Sequence, residues 1–441
     1  MSDAALLDRA LEALDAVRAV ERLRGAVAAP SVTGAEAAYA DLITSDVEGA
    51  TPMRFDRIDV EPGRPMLLGR WGGGSGRTLL LAGHLDTVRP AGWQECWGDD
   101  ERADPHAAVV RDGAIWGIGV ADLKGGICAV TSALEAIARA GLRPAGTVLT
   151  AWIPDEESGE PDLGRSAGMR ELARRIEHGE LAPDGAIYVE PTELAVYAAQ
   201  IGFVIAELAV EGQSAYFGTP ERGSDALRAM TAALEALWRI ADRLRETPEH
   251  ELLGRPVLVV HRADAGGPIA LPGSASASLI RTVLPGESLD AAAKEIEAAV
   301  RAALPREVRV TFTYPAGRDH PLGGLAMEAA LDADLIAKLA DAVGAATGSR
   351  GRIAGAPYWS ELSFLAELGI PGAYFAPGDI GLCHTPEEHI PLDQYLYGAE
   401  SLCRLVAAYC GLEPDPAPSR VDRGVITQRE ETSHETSHET R

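Results

Sequence analysis

Apolar and polar residues follow two textures along this chain. Near the N-terminus Leu7, Leu11, Leu14 and Val17 recur at helical spacing among Asp and Arg, which predicts an amphipathic helix. Short continuous apolar runs follow at 78–83 (TLLLAG, after a Gly-rich turn at 72–76), 147–153 (TVLTAWI), 185–189 (GAIYV) and 370–375. Their length and composition predict buried strands. A helical pattern at 123–140 stops at Gly141 and Pro144, and another near 361–368 precedes the last of these strands. Apolar strands alternating with helices predict an α/β fold: a mixed, mostly parallel sheet flanked by helices.

The texture changes between 196 and 318. The run 203–210 (FVIAELAV) alternates loosely, a helix is expected at 223–246, and strand-like runs lie at 257–261 and 276–283. A helix at 288–303 and a strand at 307–313 complete a β-α-β-β-α-β order, the split-βαβ, ferredoxin-like pattern of a small α+β domain. The expected organisation is one discontinuous domain over 1–195 and 319–412, with 196–318 inserted into it. Residues 413–441, rich in Pro, Glu and Ser and ending in ETSHETSHET, are expected to be a disordered tail in which His434 and His438 are solvated.

Composition narrows the functions. A chain of 441 residues fits two or three domains, and 46% hydrophobic with 24% charged residues is ordinary for a globular protein. Lys+Arg number 40 against 66 Asp+Glu, a formal charge of -26 that makes nucleic acid and membrane surfaces poor partners. No apolar run is long enough to cross a bilayer, and the N-terminus lacks the pattern of a signal peptide. Five cysteines (Cys96, Cys128, Cys383, Cys403, Cys410) without a CxxC pair fit a reduced, cytoplasmic protein.

Reactive residues collect at the carboxyl ends of the predicted strands, the edge where doubly wound sheets bind ligands. The 78–83 strand runs into His84-Leu85-Asp86, the 147–153 strand into Asp155-Glu156-Glu157, and the 185–189 strand into Glu190-Pro191. Asp122 sits where the 123–140 helix begins, and His384 follows the 370–375 strand. Singly, each has a plain alternative: a hydrogen-bonded His-Asp pair, a solvated acidic loop, a glutamate ending a strand, a capped loop histidine. Together, two histidines and three carboxylates are the ligand set of two divalent ions sharing one carboxylate. No Ser-His-Asp or Cys-His arrangement competes, and Cys383 reads as a packing residue.

GHLDTV, GIGVADLKGG, PDEESG, VEPT and LCHTPEEHI occur in this order and spacing. On these segments residues 75–410 resemble the M20 family of metallopeptidases and deacylases, which includes acetylornithine deacetylase, succinyl-diaminopimelate desuccinylase and carboxypeptidase G2. The resemblance implies a catalytic domain binding two metals and an inserted domain that often makes a dimer. It implies that His84 and Glu190 hold one metal, Glu157 and His384 the other, and that Asp122 bridges them. Asp86 would orient His84, and Glu156 would be the general base for metal-bound hydroxide attacking a C–N bond. The ligand types suit Zn, Mn or Co alike.

The sequence departs from the family pattern at three places. Tyr216 stands in Gly212-Gln213-Ser214-Ala215-Tyr216 where relatives carry a His that helps stabilise the oxyanion, and a phenol offers no positive charge there. Ala270 stands where relatives usually have Asn, and Tyr358-Trp359-Ser360-Glu361 where they show Thr-Asp, with Glu361 a stand-in for that Asp. Arg281 does match a family position and is a candidate partner for a substrate carboxylate. The aromatics Tyr216, Phe217, Tyr358 and Trp359 suggest either a flatter, more aromatic pocket or packing at a domain interface. The leading expectation is hydrolysis of an N-acyl amino acid or small peptide-like amide. The alternatives are release of an amine from an activated aromatic substrate, and a catalytically silent metal-binding module.

Overall fold

The structure, a computed structural model, describes residues 2–157, 163–266, 269–315, 317–331 and 333–416. The strand Thr78–His84 pairs in parallel with Thr147–Ile153 on one side and Gly185–Tyr188 on the other, with His84 level with Ile153. Thr147–Ile153 and Gly185–Tyr188 are buried throughout, which explains why the three runs read as uninterrupted apolar stretches. Gly372–Tyr374 adds a further parallel strand beside Gly185–Tyr188. Beyond this centre lie the hairpin Arg54–Glu61 and Arg64–Gly72 at one edge, and Val196–Gln200, Met327–Glu328 and Ile353–Ala356 at the other. The nine-stranded sheet is mixed, but parallel pairings make up half of it and not the majority expected. Sequence patterning missed the hairpin because strand Arg54–Glu61 is charged and mostly exposed.

Helix Gly125–Arg139 is buried from Gly125 through Ile137 and packs against Leu392–Cys410, Asp3–Glu12 and Ala16–Val27. Its first turn lies so close to the sheet that a Cβ on Gly126 would come within 2.3 Å of the Val189 carbonyl oxygen. A Gly126→Ala variant is therefore expected to lose about 1–3 kcal/mol of stability through overpacking against backbone that cannot yield. Urea unfolding would measure it; an unchanged midpoint would mean the helix can slide away from the strand.

The predicted N-terminal helix is two helices. Ser2 caps Asp3–Glu12 and the Asp15 side chain caps Ala16–Val27 by accepting from the Arg18 amide. The break rotates the buried face to Leu6, Ala10, Ala19 and Leu23, leaving Val17 76% exposed.

The second sheet is antiparallel, in the order Leu258–Ala265, Ser274–Val283, Gly202–Glu211, Arg309–Thr313, with Gly323–Gly324 also on Gly202–Glu211. Helices Ala226–Leu244 and Leu289–Ala303 pack on it, and its apolar side chains form clusters separate from that of the nine-stranded sheet. This is the β-α-β-β-α-β order read from the sequence, with shifted ends: Val196–Gln200 belongs to the large sheet, so the chain crosses near 201 and returns near 325, not at 196 and 318. At the crossing a Cβ on Gly202 would meet the Ala326 nitrogen at 2.4 Å and the Gly324 oxygen at 2.5 Å, so only glycine fits.

All five cysteines are free. No helix among the described residues is long and apolar enough to cross a membrane. Leu412–Pro414 pairs with Leu142–Pro144, so ordered pairing extends past the expected start of the tail at 413. Residues 417–441, including His434 and His438, lie outside the described residues.

Candidate metal centre

The parallel register delivers three strand ends to one edge. Because His84 is level with Ile153, the segments 84–86 and 154–157 leave the sheet side by side, joined by the Leu85 amide donating to the Ile153 oxygen at 2.7 Å. Within the acidic run, Asp155 points away from the site. Its carboxylate accepts from Arg64 Nη1 at 2.7 Å and from the amides of Gly164, Arg165 and Ala167. Burial works against its charge, but these donors hold it below the usual carboxylate range. Asp155 thus anchors the turn that aims Glu156 and Glu157 inward.

Asp86 does a related job, and not the one expected. His84 Nδ1 bonds the backbone oxygen of Asp86 at 2.9 Å, while the Asp86 carboxylate is 3.9 Å away. That carboxylate instead accepts from the amides of Glu157 (2.8 Å) and Glu156 (3.3 Å) and from the Thr33 hydroxyl (3.0 Å). It fixes the 156–157 backbone, and the His84 tautomer is set by a peptide carbonyl.

Asp122 is placed by Glu388, a buried carboxylate that accepts from the amides of Gly119 (3.1 Å), Ala121 (2.9 Å) and Asp122 (3.2 Å). So held, Asp122 presents one oxygen to each histidine: Oδ1 lies 3.0 Å from His84 Nε2 and Oδ2 lies 3.2 Å from His384 Nε2. Glu190 reaches within 3.6 Å of His84 Nε2, and Glu157 within 3.0 Å of His384 Nε2. Two groups result, His84–Asp122–Glu190 and Asp122–Glu157–His384, each compact enough for one metal ion and sharing Asp122. Glu156 belongs to neither. Its Oε1 lies 3.3 Å from the Ser360 hydroxyl, which also meets Glu190 at 2.8 Å.

The electrostatics ask for cations. Burial, with the charge of Asp122 added, pushes Glu157 up to about 8 and lifts Glu190 well above the carboxylate range. Asp122, also buried, is pulled below its ordinary value by hydrogen bonds from His384 and His84. Bonds to Asp122 and Glu157 raise His384 to about 11, and His84 is raised by Asp122 and Glu190 although burial opposes its charge. Imidazole nitrogens and carboxylate oxygens without a thiolate are a donor set that fits two divalent ions; Cys383, beside His384, turns its sulfur to the Asp379 oxygen.

The family pattern described as peptidase family M20/M25/M40 matches residues 80–408. The chain belongs to this family. Among solved structures it is similar to human carnosine dipeptidase 1, with TM-score 0.71 and 15% identity over 92% of this chain and 99% of that one. It is similar to the di-peptidase Dug1p of Saccharomyces cerevisiae, with TM-score 0.69 and 14% identity over 93% and 99%. A third is the Bacillus subtilis YXEP protein, described as a dinuclear metal binding peptidase of the M20 family, with TM-score 0.58 and 14% identity over 90% and 98%. At these identities the likeness is one of fold.

Beside the metal groups of this M20 protein lies a cavity of about 250 Å³, walled by Phe203, Tyr358, Trp359 and Ile380 and by Arg318. Of Tyr216, Arg281, Trp359 and Glu361, the candidate substrate contacts, Trp359 lines it, as does its neighbour Tyr358. Arg281 is 4% exposed and paired with Glu287 at 2.8 Å, a contact within the small sheet's own segment. Glu361 is fully buried and accepts from the Tyr188 hydroxyl at 2.8 Å, behind the site instead of in it. Tyr216 is 64% exposed, its ring tilted against that of Phe217 at 4.4 Å, and is paired across a two-stranded ladder with Ala270. Sequence reasoning missed Arg318 and Thr33, which sit in no local pattern, and gave no site role to Ser360 or Phe203, which it met only as part of the 358–361 segment and the 203–210 run. Glu388 was in view within LCHTPEEHI, but its role depends on a loop 266 to 269 residues away in sequence.

Proposed function

We propose that this M20 protein is a dinuclear metal-dependent hydrolase cleaving the C–N bond of an N-acyl amino acid or small peptide-like molecule. The observation that carries this reading is Asp122, whose two oxygens each face a different histidine, each histidine having its own glutamate. His84, Glu190, Glu157 and His384 would hold two ions of Zn, Mn or Co, with Asp122 shared. Bound there, such ions supply Lewis acidity and make water acidic near neutral pH. Glu156 lies outside both ligand groups, in reach of the cavity, and is the base that takes a proton from water and returns it to the leaving amine. Ser360, hydrogen-bonded to both Glu156 and Glu190, keeps the base beside the ligand set.

The small sheet, as an inserted module over about 202–326, is read here as a lid and dimerisation element, and the free cysteines as those of a cytoplasmic protein. The aromatic wall of Phe203, Tyr358 and Trp359 favours one second reading, release of an amine from an activated ring bound against it.

The test is product analysis by mass spectrometry with Mn²⁺ or Zn²⁺, using N-acyl amino acids, dipeptides and electron-poor amino-aromatic acids. Expected are amide cleavage, loss of activity with a chelator, and recovery on adding metal back. Amine release from a ring alone would move the assignment to the second reading, and activity indifferent to chelation would overturn both.

A further inference from the structure

The two candidate histidine ligands are held in unlike ways. His84 ends a buried strand, its side chain is 1% exposed, and the Asp86 carbonyl meets its second ring nitrogen. His384 sits in a loop with its side chain 50% exposed, and its polar contacts among the described residues come from Nε2, toward Asp122 and Glu157. With no orienting bond on Nδ1 among those residues, the ring takes its direction from the loop that carries it. The His384 backbone is left-handed, at φ 64°, a conformation that a residue with a Cβ keeps only where its surroundings impose it.

What imposes it is an indole. Trp97, at the end of the short helix Trp93–Trp97, donates its Nε1–H to the Pro386 oxygen at 2.7 Å, two residues past His384. Among the described residues this is the one hydrogen bond, those of the His384 ring aside, that ties 383–386 to chain outside 379–388. The far end of the loop is secured separately: Glu388 is held by three amides, and the strands Ala114–Trp116 and His389–Pro391 pair. Trp97 is itself braced. It meets Trp116 edge-on at 5.6 Å, and the Arg102 guanidinium carbon lies 3.7 Å from its ring centre. Asp100 fixes that guanidinium through two bonds of 3.0 Å and accepts another from Arg111 at 2.5 Å. Trp97 belongs to neither ligand group and does not line the cavity, so this bracing serves the loop.

We propose that Trp97 is a positioning residue for the ion held by Asp122, Glu157 and His384. Through Pro386 it fixes the loop so that His384 Nε2 faces those two carboxylates, the part that the Asp86 carbonyl plays for His84. This rests on the dinuclear reading above, so the readout is metal binding and not turnover. The full chain, stripped of metal and then given excess Zn²⁺, is passed through gel filtration and its zinc counted. Wild type is expected to keep two ions. Trp97→Phe, which loses the N–H but keeps a ring under Arg102, should keep about one. Zinc calorimetry then assigns the loss. Trp97→Phe should weaken binding at least about tenfold in a Glu190→Ala background, where only the His384 group is whole. In Glu157→Ala, where only the His84 group is whole, the change should stay below about twofold. Trp97→Leu should deepen the first loss without creating the second. Equal losses in the two backgrounds, or two ions retained by Trp97→Phe, overturn the proposal. A wild type that keeps fewer than two ions overturns instead the dinuclear reading on which it rests.

Discussion

Glu156→Gln will lower kcat on the order of 10³-fold, or about 4 kcal/mol of barrier, with both metal positions still filled. Glutamine keeps the size of the side chain and its bond to Ser360, and the Glu156 amide still reaches Asp86. What it loses is the ability to accept a proton. Since Glu156 is in neither ligand group, metal content should stay at the wild-type value. Steady-state rates paired with metal analysis of the same sample check this. Wild-type turnover would show that the base lies elsewhere, and loss of an ion would show that Glu156 is a ligand.

Asp122→Asn should be more damaging and in a different way. One substitution removes a charge from both ligand groups at once, whereas Glu157→Ala or Glu190→Ala touches only one. Expected are less than one ion retained per chain after gel filtration and a rate reduced by more than about 10³-fold. The single-group variants should each retain more metal than Asp122→Asn. If Asp122→Asn held two ions through gel filtration, the shared-carboxylate assignment would be wrong.

The candidate metal ligands left a clearer mark in the sequence than the residues that line the cavity. His84, Glu157 and Glu190 each follow an apolar run within a few residues, so strand patterning alone placed them on one edge. The substrate side had no such local cue. Arg281 matched a family position, yet Glu287, six residues on, closes over it; Arg318 shows no pattern and acquires its place from the return of the chain to the large sheet. Asp86 was assigned to the correct neighbourhood and the wrong partner, because spacing alone does not distinguish a carboxylate from its own backbone carbonyl. The hydrophobic face of the first helix failed for a similar reason: an interior Asp15 restarts the helix with a new rotation.

Among the described residues the chain passes between its two larger sheets near 201 and near 325, pressed together at Gly202. Every candidate ligand lies on the large-sheet side of that passage, while Phe203 is one residue beyond it and Arg318 lies on the returning segment. The candidate ligands are thus all carried by the large-sheet stretches, whereas the cavity wall is drawn from both, Phe203 and Arg318 from the smaller stretch and Tyr358, Trp359 and Ile380 from the larger. A change at Phe203 or Arg318 would reshape part of that wall without touching a candidate ligand.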